Sequence, residues 1–555
     1  MDKRKFLTYL YKKGIVPFIV CINLFASDNI FSSIRVWYPS IENISTIQKA
    51  GIALDHSISR SNVYIDFIVS SYEKEILSKT GIPFEILIDD LSAFYKQRSI
   101  PGNNRNFPLG SMQGNYTWDE LNQRFEELKN LYPEIISDKI VLGQSIEGND
   151  LWAFKLSDNA NIDEEEPEIL YTGLTHSREP LSMMNLFYFV QNLCEGYQSN
   201  SDSEASYLID EREMWFIPVI NPDGYLYNEQ IEPNGGGMHR KNRRDTGCGQ
   251  STQRGVDLNR NFSFGWGNND TGSSPDPCYA TYRGTGGFSE PETQIVRDFI
   301  LDRDFNNVLH YHSYGNSYIH PFGDGSYPDS LDLLIFRGLA DEMSDYNNFI
   351  FGTGNETVGY TVNGDAVDWT YGSNGIFTYT PEVGSSNDGF WPSTNRIIPL
   401  CEENLYANQY LALVAGSNYS VGISVDEESF VQGNSYSMDL AVSNSGLSDA
   451  SGNVYIDIIT SNNLIFDDSQ IILDNLSSGS TIDFGEINFE VSSSAPSGSI
   501  EEITVNVYDD NGANSNSSIV LLIGEPEILV NNEFESQSSW SVGASDDDAL
   551  SLIHI

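Results

Sequence analysis

Apolar residues recur with two different periods along the chain and divide it into successive regions. Between Tyr116 and about Ser417, short apolar runs such as PEILYTGL, EMWFIPVI and FNNVLHYH have the character of buried strands. They alternate with segments of helical period, such as TWDELNQRFEELKNLY and PLSMMNLFYFVQNLCEG. Such alternation is typical of α/β proteins, so we predict a mixed central sheet flanked by helices over residues 110–418.

The region before this domain has a shorter pattern of its own. From about Ile30 to Asp90, the strand-like runs SNVYIDFIVS and PFEILIDD flank the helix-like SYEKEILSKTG, which predicts a small βαβ-type α+β domain. The following KQRSIPGNNRNFPLG contains Arg98 and Arg105, has no periodicity and is open to proteases. Residues 27–105 therefore resemble a pro-segment with its linker, and an accessory domain that is never removed is the alternative.

Beyond Ser417 the apolar positions alternate with polar ones in short runs such as SYSMDLAVS, NVYIDIIT and EITVNVYDD. This alternation, with turns rich in Gly, Ser, Asn and Asp, predicts a β-sandwich accessory module over 419–524. We expect 525–555 to be the start of a further, truncated domain. Its last six residues, Leu550 to Ile555, resemble a translated sequencing adapter and are not expected to be part of the fold.

The N-terminus has the pattern of an export signal. A cationic start with Lys3, Arg4 and Lys5 precedes an apolar run, Ile15 to Ala26, that is too short to span a bilayer. We therefore predict a signal peptide over residues 1–26 and a secreted, periplasmic or extracellular location. No later stretch is long and apolar enough for a membrane span.

Composition narrows the class of protein. The 555 residues are 39% hydrophobic with a mean hydropathy of −0.32, which excludes a disordered chain and a polytopic membrane protein. A net charge of −49 argues against nucleic acid or an anionic membrane as a partner. Of the four cysteines after the predicted signal, Cys248 and Cys278 lie in loop-like sequence and are the better disulfide pair, whereas Cys194 and Cys401 are alternatively buried thiols.

Residues that can bind metal or move protons follow three of the predicted strands. His176 and Glu179 come directly after PEILYTGL, His312 follows another strand, and Glu382 ends a third. Ligands bind at the carboxyl edge of such sheets, so these residues are expected to meet. Two imidazoles and one carboxylate form the ligand set of an open catalytic zinc site. The sequence has no H-E-x-x-H helix, which excludes the thermolysin-like arrangement.

Six motifs, in order, resemble those of zinc carboxypeptidases of the carboxypeptidase A type. They are HSRE, NPDGY, HRKNR, VDLNRNF, HSYG and YTVNGDAVDWTYGSNGIFTYTPE, and they cover roughly residues 116–417. The resemblance implies the carboxypeptidase fold, one zinc ion per catalytic domain and a peptide or protein as substrate. It also implies hydrolysis of the C-terminal peptide bond.

The resemblance further implies a role for each matching position. His176, Glu179 and His312 correspond to the zinc ligands. Glu382 corresponds to the general base, and Asp257 to the carboxylate that orients a zinc-bound histidine. Arg178 and Arg240 correspond to the substrate and oxyanion arginines. Asn259 and Arg260 correspond to the clamp on the terminal carboxylate, and Tyr360 to the mobile tyrosine.

Two physical arguments agree with these roles. A carboxylate beside a zinc site can take a proton from the attacking water and return it to the leaving amine, as expected of Glu382. Selection of a free C-terminus calls for a planar, permanently charged partner that binds a carboxylate through two hydrogen bonds, and Arg260 has that chemistry.

Substrate preference is predicted from one segment. Val367 stands where the family has the floor of the pocket for the terminal side chain, which implies apolar or aromatic residues. Asp365 lies nearby and can pair with Lys or Arg, so we predict tolerance of basic residues as well. Two other functions stay open: a metallopeptidase acting on γ-D-glutamyl or D-amino-acid peptides of peptidoglycan, and an inactive adhesion protein that works through its sandwich.

Overall fold

A computed structural model describes residues 30–54, 56–60, 63–98, 107–249 and 253–524. The predicted signal peptide, most of the linker after Arg98 and the segment 525–555 lie outside the described residues. Those three predictions therefore stay predictions.

The N-terminal domain is a four-stranded antiparallel sheet with the strand order β2-β3-β1-β4. Strands β3 and β4 both pair antiparallel with β1, which lies between them, so the predicted βαβ unit is a split one. Alternate residues of β1, including Ile34 and Val36, are buried in the core of this domain. Its elements are β1 (Phe31–Trp37), α1 (Ile41–Lys49), β2 (Ile58–Arg60), β3 (Tyr64–Ser70), α2 (Ser71–Thr80), β4 (Glu85–Ile88) and α3 (Leu91–Gln97).

The α/β domain is built on an eight-stranded mixed sheet with the order β11-β10-β12-β9-β7-β8-β6-β5. Its central strands are buried along their whole length, as their continuous apolar runs predict. The strands are β5 (Ile140–Gln144), β6 (Asp150–Leu156), β7 (Glu168–Thr172), β8 (Glu213–Ile217), β9 (Phe305–His310), β10 (Ser317–Ile319), β11 (Ile350–Gly352) and β12 (Phe377–Glu382).

Helices surround this sheet, and the predicted helical segments all form. They are α4 (Trp118–Leu131), α5 (Leu181–Ser199), α6 (Ser203–Asp210), α7 (Pro222–Ile231), α8 (Pro291–Leu301), α9 (Ser330–Ser344), α10 (Gly354–Thr357), α11 (Ala366–Asn374), α12 (Thr394–Glu402) and α13 (Leu405–Ala415), with a short 3₁₀ turn over Leu258–Arg260. The predicted fold class, helices on a mixed sheet, is confirmed.

Three neighbouring strands determine where the functional residues meet. Strand β9 pairs in parallel with β7 on one side and with β12 on the other. The carboxyl ends of all three strands therefore lie at one edge of the sheet, and the residues that follow them are neighbours in space.

The C-terminal module contains two four-stranded antiparallel sheets around a core of its own. The sheets have the orders β13-β14-β18-β16 and β17-β15-β19-β20. Their strands are β13 (Tyr419–Ser424), β14 (Ser435–Asn444), β15 (Val454–Thr460), β16 (Leu464–Phe466), β17 (Gln470–Leu473), β18 (Thr481–Val491), β19 (Ile500–Asp509) and β20 (Asn514–Leu522).

The four cysteines that the structure describes divide into one bonded pair and two thiols. Cys248 and Cys278 form a disulfide with a Cα–Cα distance of 5.2 Å. Cys194 and Cys401 are buried as free thiols, and burial raises the pKa of each far above its usual value. Among the residues that the structure describes, no helix is long and apolar enough to cross a membrane.

Candidate active site

The loop between β7 and α5 carries the first two predicted zinc ligands. His176 and Glu179 lie in this loop and are 3% and 1% exposed. Pro180 stands at the N-cap of α5 with φ −67°, a position that suits a residue without a backbone N–H. The Ser182 hydroxyl then donates to the Glu179 carbonyl at 2.7 Å, which closes the first turn over the loop. The strand-to-helix turn therefore holds both side chains at the carboxyl edge.

His312 and Glu382 arrive at the same edge from the two adjacent strands. His312 lies just beyond β9, and Glu382 is the last residue of β12. An isolated parallel bridge joins the two residues, in which the His312 N–H donates to the Pro381 carbonyl at 2.9 Å. The strand pairing therefore sets the predicted general base beside the third predicted ligand.

The three predicted ligands point their donor atoms at one another. His176 Nδ1 lies 3.0 Å from Glu179 Oε1 and 3.0 Å from His312 Nδ1, and His312 Nδ1 lies 2.9 Å from Glu179 Oε2. Ligand atoms of a tetrahedral zinc ion, with bonds of about 2.1 Å, lie about 3.4 Å apart. Two buried imidazole nitrogens with a buried carboxylate are also donors of the type that Zn²⁺ prefers. The residues present therefore fit a zinc ion.

Asp257 links the histidine side of this cluster to an arginine. Its Oδ1 accepts a hydrogen bond from His176 Nε2 at 3.2 Å, and its Oδ2 accepts from Arg240 Nε and Nη2 at 3.1 and 3.0 Å. Contact with Asp257 through Nε2 leaves Nδ1 of His176 directed at the other ligands, as in carboxylate–histidine–zinc arrangements. Asp257 also fixes the place of Arg240.

In this cluster, nearby positive charges and burial shift the pKa values of the carboxyl groups in opposite directions. Burial favours the neutral form of Asp257, but Arg240 and Arg260 hold the pKa of its carboxyl well below the usual range. Burial likewise opposes ionisation of Glu179, yet the surrounding imidazoles hold its pKa well below the usual range. Burial lowers the pKa of His176, and the charge of Arg240 lowers it further. Neutral imidazoles and ionised carboxylates are the protonation states that bind a metal ion.

A cavity next to the cluster contains most of the predicted substrate-binding residues. The predicted substrate-binding residues that line it are Asn259, Arg260, Tyr360, Asp365 and Val367, and the predicted ligand His176 and general base Glu382 line it as well. Arg260 is 2% exposed, and a hydrogen bond from its Nε to the Gly272 carbonyl at 2.9 Å holds the side chain in position. The side chain of Asn259 accepts from the Ala366 N–H at 3.0 Å, which connects the 3₁₀ turn to α11.

Two aspartates, Asp365 and Asp368, line this cavity. Asp365 caps α11 by accepting from the Asp368 N–H at 3.0 Å, and Asp368 accepts from the Gly323 N–H at 2.9 Å. Burial raises the pKa of Asp365 to about 6, and burial together with the charge of Asp365 raises that of Asp368 well above its usual value. The Asp368 carboxylate at this cavity is absent from the sequence prediction, because its helix position resembles an ordinary first-turn aspartate.

Two predicted site residues, Arg178 and Arg240, do not line that cavity. Arg178 stacks on the ring of Phe390 at 4.1 Å, and both arginines line a different cavity. Glu73 of the N-terminal domain lines the same cavity. Arg178 therefore lies next to the N-terminal domain, whereas Arg260 and Val367 line the cavity beside the predicted ligands.

The cluster contains a further residue that the sequence does not predict. His56, from the segment between α1 and β2, lies with its Nε2 3.2 Å from Glu179 Oε1. Its sequence surroundings, a lone histidine in a short segment between two predicted elements, contain no motif that distinguishes it. Only the docking of the N-terminal domain brings it to the site.

Comparisons with known proteins agree with this geometry. A family model described as "Zinc carboxypeptidase" matches residues 121–407, about half of the chain. Mast cell carboxypeptidase A of Mus musculus is 30% identical over 372 residues, covering 63% of this chain and 83% of the relative. Carboxypeptidase B of Astacus astacus is 31% identical over 314 residues, covering 55% of this chain and 98% of the relative.

A solved structure shows the same fold. Carboxypeptidase A from Helicoverpa armigera superposes with a TM-score of 0.58 at 22% sequence identity, covering 70% of this chain and 98% of that structure. The share of this chain that is covered exceeds the family match, so the likeness in fold extends beyond residues 121–407.

Proposed function

The chain belongs to the zinc carboxypeptidase family, and from that premise we propose that it is an exported enzyme that removes the C-terminal residue of peptides and proteins. The convergence of His176, Glu179 and His312 within about 3 Å, beside Glu382, carries the proposal. The three residues would hold a zinc ion. When bound, zinc supplies Lewis acidity that makes water nucleophilic near neutral pH and polarises a carbonyl group.

Recognition of a chain end falls to the arginine of the cavity. Arg260 is buried and lines the cavity, so its charge is little screened by water. A terminal carboxylate can accept two parallel hydrogen bonds from it, and a residue inside a longer chain offers no such group. Arg260 therefore explains why the enzyme would act on chain ends.

Proton transfer and charge stabilisation fall to two further side chains. Glu382 is 5% exposed and lines the cavity together with His176 and Arg260, which supports its proposed role as the general base. It would take a proton from water and give it to the leaving amine. Arg240, fixed by Asp257, would stabilise negative charge on the former carbonyl oxygen, a role worth about 3 kcal/mol.

The cavity supports a preference for apolar or aromatic terminal residues with tolerance of basic ones. Val367 provides an apolar wall and is 3% exposed. Asp365 lies at the same cavity and, when ionised, would attract a Lys or Arg side chain.

The contacts of the N-terminal domain support its proposed role as a pro-segment. Ser92 of α3 donates to the Gly236 carbonyl at 2.7 Å, and Gln253 donates to the Ser70 hydroxyl at 2.8 Å. Leu91 and Tyr95 of α3 are buried in the main core of the α/β domain. This packing places His56 and Glu73 at the site, so the domain would have to leave before a substrate enters.

Zinc analysis combined with hydrolysis of a blocked dipeptide tests the proposal. The full-length chain is assayed before and after limited proteolysis of its linker, alongside Glu382→Gln. We expect one zinc per chain in both proteins and a loss of kcat of about 10²- to 10⁴-fold in the variant, because the proton shuttle is removed. Undiminished hydrolysis by Glu382→Gln, or wild type that binds no zinc and leaves peptides intact, would overturn the proposal.

A further inference from the structure

A histidine of the N-terminal domain is inserted into the candidate zinc site. His56 is 5% exposed, and its Nε2 lies 3.2 Å from Glu179 Oε1. Its Nδ1 lies 3.6 Å from Glu382 Oε2, and its ring packs edge-on against Phe390 at 5.0 Å. The imidazole therefore stands between a predicted metal ligand and the predicted general base.

The hydrogen bonding of His56 determines which nitrogen faces the site. Its Nδ1 lies 2.9 Å from the carbonyl oxygen of Tyr314, and a carbonyl oxygen only accepts, so Nδ1 is the donor. In the neutral ring the lone pair is then on Nε2 and is directed at Glu179 Oε1, another acceptor. The lone pairs of His56 Nε2 and Glu179 Oε1 repel each other at this distance unless a cation lies between them.

The geometry of this approach matches metal ligation. The ligand atoms of His56, His176 and Glu179 all lie within 4.8 Å of one another. The 3.2 Å between His56 Nε2 and Glu179 Oε1 is close to the separation of about 3.4 Å expected for two ligands of one tetrahedral zinc ion. A catalytic zinc has three protein ligands and keeps the fourth position for water or substrate.

We propose that His56 is the fourth protein ligand of the zinc ion in the intact chain. This inference rests on the proposed function, since it concerns the same metal site. With His56 in place the position that water needs is filled, and the chain is latent by metal ligation as well as by steric cover. Departure of the N-terminal domain withdraws the imidazole and opens the position.

The backbone around His56 is built to present the side chain. His56 has φ +60°, in the left-handed region, which is uncommon for residues other than glycine but is adopted more often by asparagine, aspartate and histidine. Just before it, Ile52 and Leu54 are buried in the core of the N-terminal domain and anchor the segment. A conformation of this kind persists where surrounding packing imposes it, which fits a residue with a function at the site.

A second explanation of the 3.2 Å contact is an ion pair between a protonated His56 and Glu179, without any bond to metal. The two explanations differ in what they predict for the metal. Ligation places three imidazoles around zinc in the intact chain, whereas the ion pair leaves only His176 and His312.

X-ray absorption at the zinc edge of the full-length chain decides between them, and the spectrum of the Co²⁺-loaded chain gives an independent readout. The informative variant is His56→Asn, because asparagine tolerates the left-handed backbone and its amide can still donate to the Tyr314 carbonyl, but it has no Nε2. We expect three imidazoles in wild type and two in His56→Asn, with a change in the Co²⁺ visible bands. Zinc release to a chelator should be on the order of tenfold faster or more in the variant.

Lys96→Gln is the matched control. It removes an ion pair between Lys96 and Glu232 that joins the same two domains and leaves His56 unchanged. Its zinc coordination should equal that of wild type. The wild-type spectrum alone keeps the inference falsifiable if His56→Asn does not fold, because a count of two imidazoles in wild type refutes ligation by His56.

The outcomes also separate this inference from the proposed function. If wild type has two imidazoles on zinc, yet hydrolyses peptides after its linker is cut, the function stands and the ligand role of His56 is wrong. If wild type binds no zinc and stays inactive after cleavage, the proposed function itself fails, and the inference fails with it.

Discussion

The N-terminal and C-terminal domains both pack against the α/β domain, but they attach at opposite ends of its strands. The N-terminal domain reaches the carboxyl edge, where His56 approaches Glu179. The C-terminal module contacts the other end, where the side chain of Asn306, near the start of β9, donates to the Ser448 hydroxyl at 2.9 Å. Chemistry in such sheets is concentrated at the carboxyl edge. Attachment at that edge would therefore couple a domain to catalysis, whereas attachment at the amino edge would leave the site accessible.

Two buried aspartates test directly whether the two ends of the strands differ in this way. Asp257 lies at the carboxyl edge and Asp509 in the C-terminal module, and both are acceptors in several hydrogen bonds. The same Asp→Asn change at each position should alter metal binding at one and stability alone at the other.

The largest effect is expected for Asp257→Asn. The neutral amide weakens the interaction with His176 and loses the charge that fixes Arg240, so zinc affinity should fall about 10- to 100-fold and kcat/KM with it. Competition with a chelator of known affinity measures the first quantity, and dipeptide hydrolysis measures the second. Unchanged zinc affinity would show that Asp257 has no part in holding the metal ligands.

An intermediate effect is expected for Asp365→Asn, which tests substrate choice at the same edge. Burial raises the pKa of Asp365 to about 6, so its charge appears as the pH rises through about 6. In wild type the ratio of kcat/KM for peptides ending in Arg to that for peptides ending in Phe should therefore rise across this range. In the variant the ratio should be lower, by about tenfold at pH 8, and flat with pH.

Asparagine can keep the cap of α11, because its side-chain oxygen accepts from the Asp368 N–H as the carboxylate does. A loss of selectivity in Asp365→Asn would thus reflect charge. An Arg-to-Phe ratio equal to that of wild type at every pH would contradict a role for Asp365 in specificity.

The smallest effect on catalysis is expected for Asp509→Asn. The Asp509 carboxylate accepts from the hydroxyls of Ser417 and Tyr419 at 2.6 and 2.9 Å, and from the N–H groups of Asn511 and Ala513 at 3.0 and 3.1 Å. An amide group cannot accept at both ends, so the free energy of unfolding of the module should fall by about 1–3 kcal/mol. Thermal unfolding measures this loss.

The kcat/KM and zinc affinity of Asp509→Asn should equal those of wild type. A decrease in either would show that the C-terminal module communicates with the carboxyl edge, and the contrast between the two domains would then be wrong.

Much of the architecture could be predicted from local pattern. The apolar runs that end before His176 and His312 form β7 and β9, and the residues after them meet because parallel strands share an edge. The ordered motifs then identify the residues that carry the metal-binding atoms, and this step needs no knowledge of the rest of the fold. These residues are predictable because they lie close in sequence to the elements that position them.

The other features of the site could not be predicted, because they depend on contacts between segments that are distant in the sequence. Nothing near His56 in the sequence indicates that the docking of a separate domain brings it to Glu179. Asp368 resembles a helix-start residue, and only the approach of the Gly323 loop shows that it lies at the cavity. The separate orientation of Arg178, stacked on Phe390, is likewise a property of tertiary packing.

Tyr360 would give the N-terminal domain a second point of control over turnover. Its ring packs against the apolar core of that domain and also lines the cavity with Arg260. The tyrosine that would swing over a bound peptide is thus clamped between two folded units while they stay together. Undocking would release this flap and expose the cavity in one event, so onset of activity should be all-or-none for each molecule instead of graded.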